Sequence, residues 1–199
     1  NLDEVEGPVD LASISVPAKA VLAVLRDCLK HGVAGAQVHS SGFAELGDRH
    51  GIALQKEITK IARKGVRVIG PNCFGIHCPR GGITLLPGSD FSHDPGSVAF
   101  VSQSGGVATA FGYEARSAGI GLSKVISFGN GCDLDAIQLL DYFADDPETE
   151  CIGAYLEGVE DGRRFLKTVR RVSDTKPVII WKAGLTPPGG RAVCSHTGS

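Results

Sequence analysis

The feature that most constrains the fold of this 199-residue chain is a repeated alternation along the sequence. A short β-branched run is followed by a loop with Gly, Ser or Pro, and then by a longer stretch with helical periodicity. Such alternation is typical of a parallel sheet whose strands are joined by crossover helices. The 27 glycines and the aromatic content of 6% suit tight strand-to-helix turns better than a β-sandwich. We therefore predict an α/β fold.

The first 70 residues follow this pattern with three strands and two helices. The helix after Pro17 has an apolar stripe that includes Val21, Leu25 and Leu29 and ends at Gly32. The predicted strands are VDLASISVP, AGAQVHS and VRVIG, and the predicted helices are AKAVLAVLRDCLKHG and IALQKEITKIARKG.

Residues 71–95 contain repeated Pro and Gly breaks without sustained periodicity, so we predict an irregular connector there. The alternation then restarts with four strands and three helices, which predicts a doubly wound parallel sheet. Its predicted strands are SVAFVSQ, LSKVISFGN, CIGAYLEGV and KPVIIWKAG. We expect a first domain over 1–82, a linker over 83–95 and a second domain over 96–199.

The composition excludes several classes of protein. A formal net charge of -2 gives no basic surface for nucleic acid. No apolar run approaches the roughly 18 residues that a bilayer crossing requires, so we expect a cytoplasmic protein without membrane contact. The cysteines have no CxxC pair and no metal-binding spacing, so we expect reduced thiols and no metal site. They are Cys28, Cys73, Cys78, Cys132, Cys151 and Cys194.

Small polar residues follow the first strand of the second unit, where ligands of open parallel sheets bind. Ser102, Ser104, Gly105 and Gly106 combine hydroxyls with glycines at a predicted helix N-terminus. Free N–H groups and the helix dipole there can hold a phosphate. An ordinary serine cap with a glycine turn explains the stretch equally well. It is not a P-loop, because no GK[ST] follows.

The other strand ends of the second unit are also polar. GNGCD (129–133) follows the second strand, Glu157 follows the third, and a glycine-rich tail with His196 follows the fourth. Each alone is consistent with a solvated or structural role. Because all four ends lie at one sheet edge, a phosphate site, a carboxylate and an imidazole can converge there. A carboxylate bound to one ring nitrogen leaves the other free to attack, which favours phosphoryl chemistry.

Five ordered motifs carry a resemblance to a known family. The segments GVRVIGPNCFGI, FVSQSGG, DDPETECIGAYLEGVEDG, KPVIIWKAG and SHTGS, in this order and spacing, resemble nucleoside-diphosphate-forming acyl-CoA synthetases. These enzymes are relatives of the succinyl-CoA synthetase α subunit. The resemblance implies a Rossmann-like CoA-binding domain followed by a flavodoxin-like ligase domain.

The resemblance also implies roles for individual residues. His196 is then the transient phosphohistidine, Glu157 the acidic residue that orients it, and the Ser102–Gly106 stretch the phosphate site. Asn72 and Cys73 lie near the thiol end of CoA. The residues that line the CoA site are Val16, Pro17 and Ala18. The implied reaction interconverts acyl-CoA, ADP and phosphate with carboxylic acid, CoA and ATP through an acyl phosphate and the phosphohistidine.

Two parts of the family pattern do not occur in these residues. One is the glycine-rich turn that opens the Rossmann half of the CoA domain, so we expect the first unit to be partial. The other is the ATP-grasp module that binds ATP or ADP with Mg²⁺, which in the family is a partner subunit or a further domain. We therefore expect the chain to belong to a longer protein that acts as an oligomer on a small carboxylic acid or its acyl-CoA.

Two other functions remain open from the residues. One is a regulatory synthetase-like module of a protein acetyltransferase, a class that often lacks the histidine. Retention of both Glu157 and His196 favours the enzyme. The other is a flavodoxin-like nucleotide or response-regulator domain, for which the strand ends offer neither an acidic phospho-acceptor cluster nor flavin-stacking aromatics.

Overall fold

The computed structural model describes residues 2–88 and 91–190 and contains two sheets. The first sheet has three parallel strands in the order β1, β2, β3, and β1 pairs with β2 from Leu11 opposite Gly35 to Ile14 opposite Val38. All three strands predicted for the first unit are confirmed, and each is shorter than its sequence run. They are β1 Leu11–Ile14, β2 Gly35–Val38 and β3 Arg67–Ile69.

Two helices pack on the first sheet. The helix α1, Ala18–Lys30, begins directly after Pro17, where a missing N–H removes no helical hydrogen bond. The helix α2, Arg49–Ala62, begins before the run that predicted it. The reason is a cap: the Asp48 carboxylate accepts a hydrogen bond from Gly51 N–H at 2.6 Å.

The second sheet has six strands in the order β5, β4, β7, β6, β8, β9. The last four of these are mutually parallel, and the predicted four strands and three helices are confirmed. The strands are β4 Gly75–Cys78, β5 Ile83–Thr84, β6 Pro95–Ser102, β7 Leu122–Ser127, β8 Cys151–Leu156 and β9 Val178–Lys182. The helices are α3 Gly105–Ser117, α4 Ala136–Asp145 and α5 Gly162–Ser173.

Strands β4 and β5 correct the prediction of an irregular connector over 71–95. They form an antiparallel hairpin, and β4 pairs antiparallel with β7, so both belong to the second sheet. The expected boundary at residue 82 falls inside this hairpin. The strands are very short, and the buried position 77 is a histidine, which disguises the apolar alternation. The His77 ring lies 3.0 Å from Thr84 Oγ1 and 3.1 Å from Ser92 O, which satisfies both nitrogens.

Helices cover both faces of the second sheet. Phe100 and Val125 pack with residues of α3 on one face. Their neighbours along the strands, Val101 and Ile126, pack with α4 on the other face. Successive strand residues point to opposite faces, so this division follows from the sequence alternation. The sheet is therefore doubly wound, as predicted.

The loop after β7 joins the two units. Leu134 N–H donates to Val68 O at 3.1 Å, and Val68 N–H donates to the Asp133 carboxylate at 2.9 Å. The same carboxylate pairs with the guanidinium of Arg67, with a distance of 3.0 Å to Nε. The loop thus supplies hydrogen-bond partners to the open edge of β3, and it fixes the first sheet against the second.

None of the helices formed by residues 2–88 and 91–190 combines the length and the apolar composition that a membrane crossing requires. Five cysteines within these ranges are free thiols: Cys28, Cys73, Cys78, Cys132 and Cys151.

Candidate functional site

The carboxyl ends of the four parallel strands open into one cavity of about 490 Å³. We call it the strand-tip cavity. Residues that follow each of these strands line it, and two residues of the first unit, Ala44 and Gln55, close another side. The lining residues at the strand ends include Gln103 after β6, Gly129 and Asn130 after β7, Glu157 and Gly158 after β8, and Gly184 after β9.

Glu157 is the acidic group that lies deepest among the strand ends. It leaves 6% of its surface exposed and lines the strand-tip cavity directly after the last residue of β8. Burial raises the pKa of the Tyr155 hydroxyl, and the charge of Glu157 and the hydrogen bond between the two side chains raise it further. The Tyr155 hydroxyl is therefore close enough to the Glu157 carboxylate for the charge of Glu157 to affect it.

The predicted phosphate site lies at the start of α3. Ser104 is the N-cap, and its Oγ accepts from Val107 N–H at 3.4 Å. Ser102 is fully buried, and its Oγ donates to Ser104 O at 2.7 Å. The Phe74 ring covers Gly105, whereas the space beside Gly106 is open: a Cβ built there has only Ser104 Oγ, 4.0 Å away, within that radius. The exposed approach to the α3 amides is therefore at Gly106.

Helix α4, unlike α3, begins with residues that line the strand-tip cavity, but its N-terminus is closed. The Asp135 carboxylate accepts from the N–H groups of Ile137 and Gln138 at 2.8 and 3.0 Å, and Gln138 completes a capping box. A carboxylate there already neutralises the positive end of the helix dipole. Of the two helix N-termini, α3 with its neutral serine cap is the better place for an anion.

A polar network crosses from the second unit to the first at the cavity wall. The Asn130 amide donates to Glu45 Oε2 at 2.6 Å and to Gln55 Oε1 at 2.8 Å. A Cβ on Gly129, whose φ is +55°, would lie 2.3 Å from Asn72 O. Only glycine permits both this conformation and this close approach of two backbones. The network and the glycine contact hold the cavity wall in one arrangement.

The predicted CoA-lining residues form a second, shallower cavity of about 360 Å³, which we call the VPA cavity. It lies where β1 and β2 end and α1 begins, so it occupies the ligand-binding edge of the first sheet. Its lining residues are Ser15, Val16, Pro17, Ala18, His39, Ser40 and Ser41.

Asn72 lies between the two cavities. Its N–H donates to the carbonyl of Ser40, which lines the VPA cavity, at 2.9 Å. Its side-chain amide donates to Asn130 Oδ1, in the wall of the strand-tip cavity, at 3.4 Å. Asn72 therefore links the walls of the two cavities through hydrogen bonds.

Cys73 lies beside Asn72, but it does not face either cavity. Its side chain is buried, and Sγ donates to Val38 O at 3.2 Å. Burial raises the pKa of the Cys73 thiol to about 12. Cys73 packs with Ile69 in the core of the second sheet, so it has a structural role although it lies near the cavities.

His196 lies outside the described residues, so its predicted role stays a prediction. Three residues of the site escaped the sequence analysis, namely Gln103, Glu45 and Gln55. Gln103 lies between Ser102 and Ser104, whose hydroxyls formed the basis of the predicted phosphate site. Glu45 and Gln55 lie far from Asn130 in the sequence, and no local pattern signals that contact.

One group of possible metal ligands occurs among the described residues, namely Asp3, Asp27 and His31. Asp3 already pairs with Lys30 at 3.0 Å and with the His31 ring at 2.9 Å. The other ring nitrogen of His31 lies 2.9 Å from Asp27 O. These contacts are those of an ion-pair cluster that fastens the N-terminal turn to the end of α1.

Two protein families match the chain. The family described as succinyl-CoA ligase like flavodoxin domain matches residues 95–199, and the CoA binding domain family matches residues 1–79. The two matched ranges leave out residues 80–94. This segment contains β5 and nearly all of the predicted linker.

The similar proteins include several ADP-forming CoA ligases. The α subunit of acetate–CoA ligase (ADP-forming) II from Pyrococcus furiosus is 43% identical over 202 residues, which span 100% of this chain and 43% of that protein. The 4-hydroxybutyrate–CoA ligase (ADP-forming) of Nitrosopumilus maritimus is 34% identical and aligns with 98% of this chain and 28% of its own length.

Among solved structures, the dinucleotide-forming acetyl-coenzyme A synthetase 1 of Ca. Korarchaeum cryptofilum, in complex with phosphate and ADP, superimposes with a TM-score of 0.86. It is 43% identical, and the match covers 100% of this chain and 42% of that chain. The chain thus spans less than half the length of these relatives.

Proposed function

Because this chain belongs to the nucleoside-diphosphate-forming acyl-CoA synthetase family, with its CoA-binding and succinyl-CoA-ligase-like flavodoxin domains, we propose that it forms the CoA-binding and phosphate-transferring portion of an acid–CoA ligase. The reaction converts acyl-CoA, ADP and phosphate into carboxylic acid, CoA and ATP, and it is reversible. The observation that supports this most is the strand-tip cavity, which is lined by the buried Glu157 and by Gln103, the residue before the α3 cap Ser104.

CoA binds, in this proposal, with its pantetheine arm along the VPA cavity. Val16, Pro17 and Ala18 provide an apolar wall, and the arm passes Asn72 so that the thioester reaches the strand-tip cavity. The geometry of Asn72, which contacts residues of both cavities, supports this path. The buried Cys73 thiol then stabilises the turn and takes no part in thioester chemistry.

The first chemical step forms an acyl phosphate. Phosphate binds to the exposed amides at Gly106, with Ser104 as cap, where the α3 dipole favours an anion. A phosphate oxygen attacks the thioester carbonyl carbon, the carbon–sulfur bond breaks, and CoA leaves as a thiolate. The same amides hold the phosphoryl group of the acyl phosphate for the next step.

The second step transfers the phosphoryl group to His196. The imidazole nitrogen attacks phosphorus, and the carboxylate of the acid leaves. Glu157 accepts a hydrogen bond from the other ring nitrogen, which fixes the tautomer and stabilises the positive charge that develops on the ring. Its burial strengthens that interaction, since charges attract more strongly where water is excluded.

The third step passes the phosphoryl group from His196 to ADP. We propose that an ATP-grasp domain or partner subunit binds the nucleotide with Mg²⁺, and that His196 moves between the two sites. The relatives, which are subunits or parts of longer ligases, support the need for such a partner. The acid is a small carboxylic acid.

Labelling of the full-length protein tests this proposal. With radiolabelled nucleoside triphosphate and Mg²⁺, the protein should acquire an acid-labile, base-stable label that His196→Ala abolishes. Glu157→Gln should slow labelling by about 10²-fold, the usual loss for a positioned acid–base partner. The exposed His50 offers a matched control, because His50→Ala removes an imidazole outside the site and should leave the rate unchanged. Label that persists in His196→Ala would contradict the proposal.

A further inference from the structure

The main chain of Glu157 lies one residue beyond the hydrogen-bonded ladder of the second sheet. The pairing of β8 ends with Tyr155 opposite Ser102 on one side and Leu156 opposite Lys182 on the other. The N–H and C=O groups of Glu157 therefore lie just past the last paired residues of β8. Buried main-chain groups of this kind need other partners, or they cost stability and lose a fixed orientation.

Two side chains from the neighbouring strands supply these partners. Gln103, directly after β6, accepts hydrogen bonds at Oε1 from the N–H of Glu157 and, at 2.9 Å, from the N–H of Gly158. Lys182, the last residue of β9, donates from Nζ to Glu157 O at 2.7 Å and also to Ala183 O. The main chain of Glu157 is thus held from both sides.

The bond from Lys182 carries a full charge. An ammonium bound to carbonyl oxygens forms stronger hydrogen bonds than a neutral donor does. Within residues 2–88 and 91–190, no carboxylate forms an ion pair with Lys182, so its recorded partners are the carbonyls at the strand ends. The side chain does not line the strand-tip cavity, and its influence on the site passes through Glu157.

We propose that Lys182 and Gln103 are positioning residues that fix the orientation of the Glu157 carboxylate toward His196. This inference rests on the proposed function and goes beyond it, because it assigns two residues that act through a third. A positioned carboxylate must be held to within a fraction of an ångström, and displacements of about 1 Å can cost about 10²-fold in rate. Side-chain clamps on both main-chain groups provide such a restraint.

The chain contains a matched control for Lys182. Lys176 precedes the opposite end of β9 and donates from Nζ to Phe143 O at 2.7 Å and to Asp146 O at 2.6 Å. It therefore donates to two carbonyl oxygens, as Lys182 does. Its bonds lie at the amino ends of the parallel strands, opposite to the carboxyl ends that line the strand-tip cavity. Loss of either lysine removes the same chemistry, but only Lys182 contacts Glu157.

The test measures the rate of histidine phosphorylation and the KM for acyl-CoA in the full-length protein. Lys182→Met should slow phosphorylation by about 10-fold to 10²-fold with a nearly unchanged KM, and Lys182→Arg should recover most of the rate. Lys176→Met should lower thermal stability about as much as Lys182→Met does, and it should leave the phosphorylation rate within about twofold of the wild-type rate. Gln103→Met gives an independent variant with the same expected loss of rate.

A double-mutant cycle separates positioning from a general structural role. In a Glu157→Gln background, Lys182→Met should have little further effect, because the side chain that it orients has already lost its charge. Additive effects, or a wild-type rate in Lys182→Met, would overturn the inference alone. A wild-type protein that acquires no label would overturn the proposed function, and this inference with it.

Discussion

At the scale of single residues, the direction of the side chain distinguishes Cys73 from Glu157, although both are buried. Both belong to segments that adjoin the strand-tip cavity. Glu157 lines the cavity, whereas Cys73 points into the core and bonds to Val38 O. The sequence places both near the reacting groups, and it cannot show which way each side chain points.

The raised pKa of Cys73 gives a direct prediction for its reactivity. With a pKa of about 12, the native thiol stays protonated at neutral and mildly alkaline pH, so iodoacetamide should modify it far more slowly in the native protein than in urea. Peptide mass spectrometry after timed alkylation measures both rates. Equal rates in the two states would contradict the buried position.

The same thiol makes stability fall with pH. Its folded-state pKa lies above the ordinary value of 9.0, so the folded state holds its proton more tightly than the unfolded state. The contribution of Cys73 to the free energy of unfolding is complete below about pH 9 and is lost as the pH rises toward 12. Cys73→Ala should flatten this part of the profile.

At the scale of elements, the two adjacent glycines at the N-terminus of α3 have different surroundings. Gly105 touches the Phe74 ring, where a built Cβ would lie 2.2 Å from Cγ. Gly106 faces open space, where we propose that phosphate binds. Gly105 thus permits a core contact, and in our proposal Gly106 permits the approach of a ligand.

The two glycine positions give a paired prediction. Gly106→Ala should leave the melting temperature unchanged or raise it, since alanine favours helix by up to about 1 kcal/mol. It should also raise the KM for phosphate, by about 10-fold if one methyl group blocks a direct amide contact costing about 1.4 kcal/mol. Gly105→Ala should instead lower stability by about 1–3 kcal/mol through overpacking against Phe74. Steady-state kinetics and thermal unfolding check both variants. An unchanged KM for phosphate in Gly106→Ala would contradict phosphate binding at the N-terminus of α3.

The sequence predicts most elements of the fold because each carries its own signal. Pro17 marks the start of α1, and adjacent β-branched residues mark β7 and β9. The hairpin of β4 and β5 escapes prediction, since two short strands around the buried His77 carry too few apolar positions to show a period. The exact start of α4 depends on the capping box of Asp135, which acts through side chains.

At the scale of the whole molecule, the interface between the units shapes the site. Asn130 bonds to Glu45 and Gln55, and Gly129 packs on the main chain of Asn72. The sequence identifies the polar strand ends of the second unit but not their partners in the first. Such contacts join residues that are distant along the chain, so only the folded arrangement reveals them. They connect the VPA cavity with the strand-tip cavity.

Phosphorylation driven by the thioester alone is the most direct test of His196 as the phosphoryl carrier. The full-length protein is incubated with acyl-CoA and labelled inorganic phosphate, without nucleotide, and the modified residue is mapped by peptide mass spectrometry under alkaline conditions. We predict label on His196 that requires acyl-CoA and is lost when free CoA and carboxylic acid are added in excess. Label on another residue, or synthesis of ATP from acyl-CoA, ADP and phosphate without any label on His196, would contradict it.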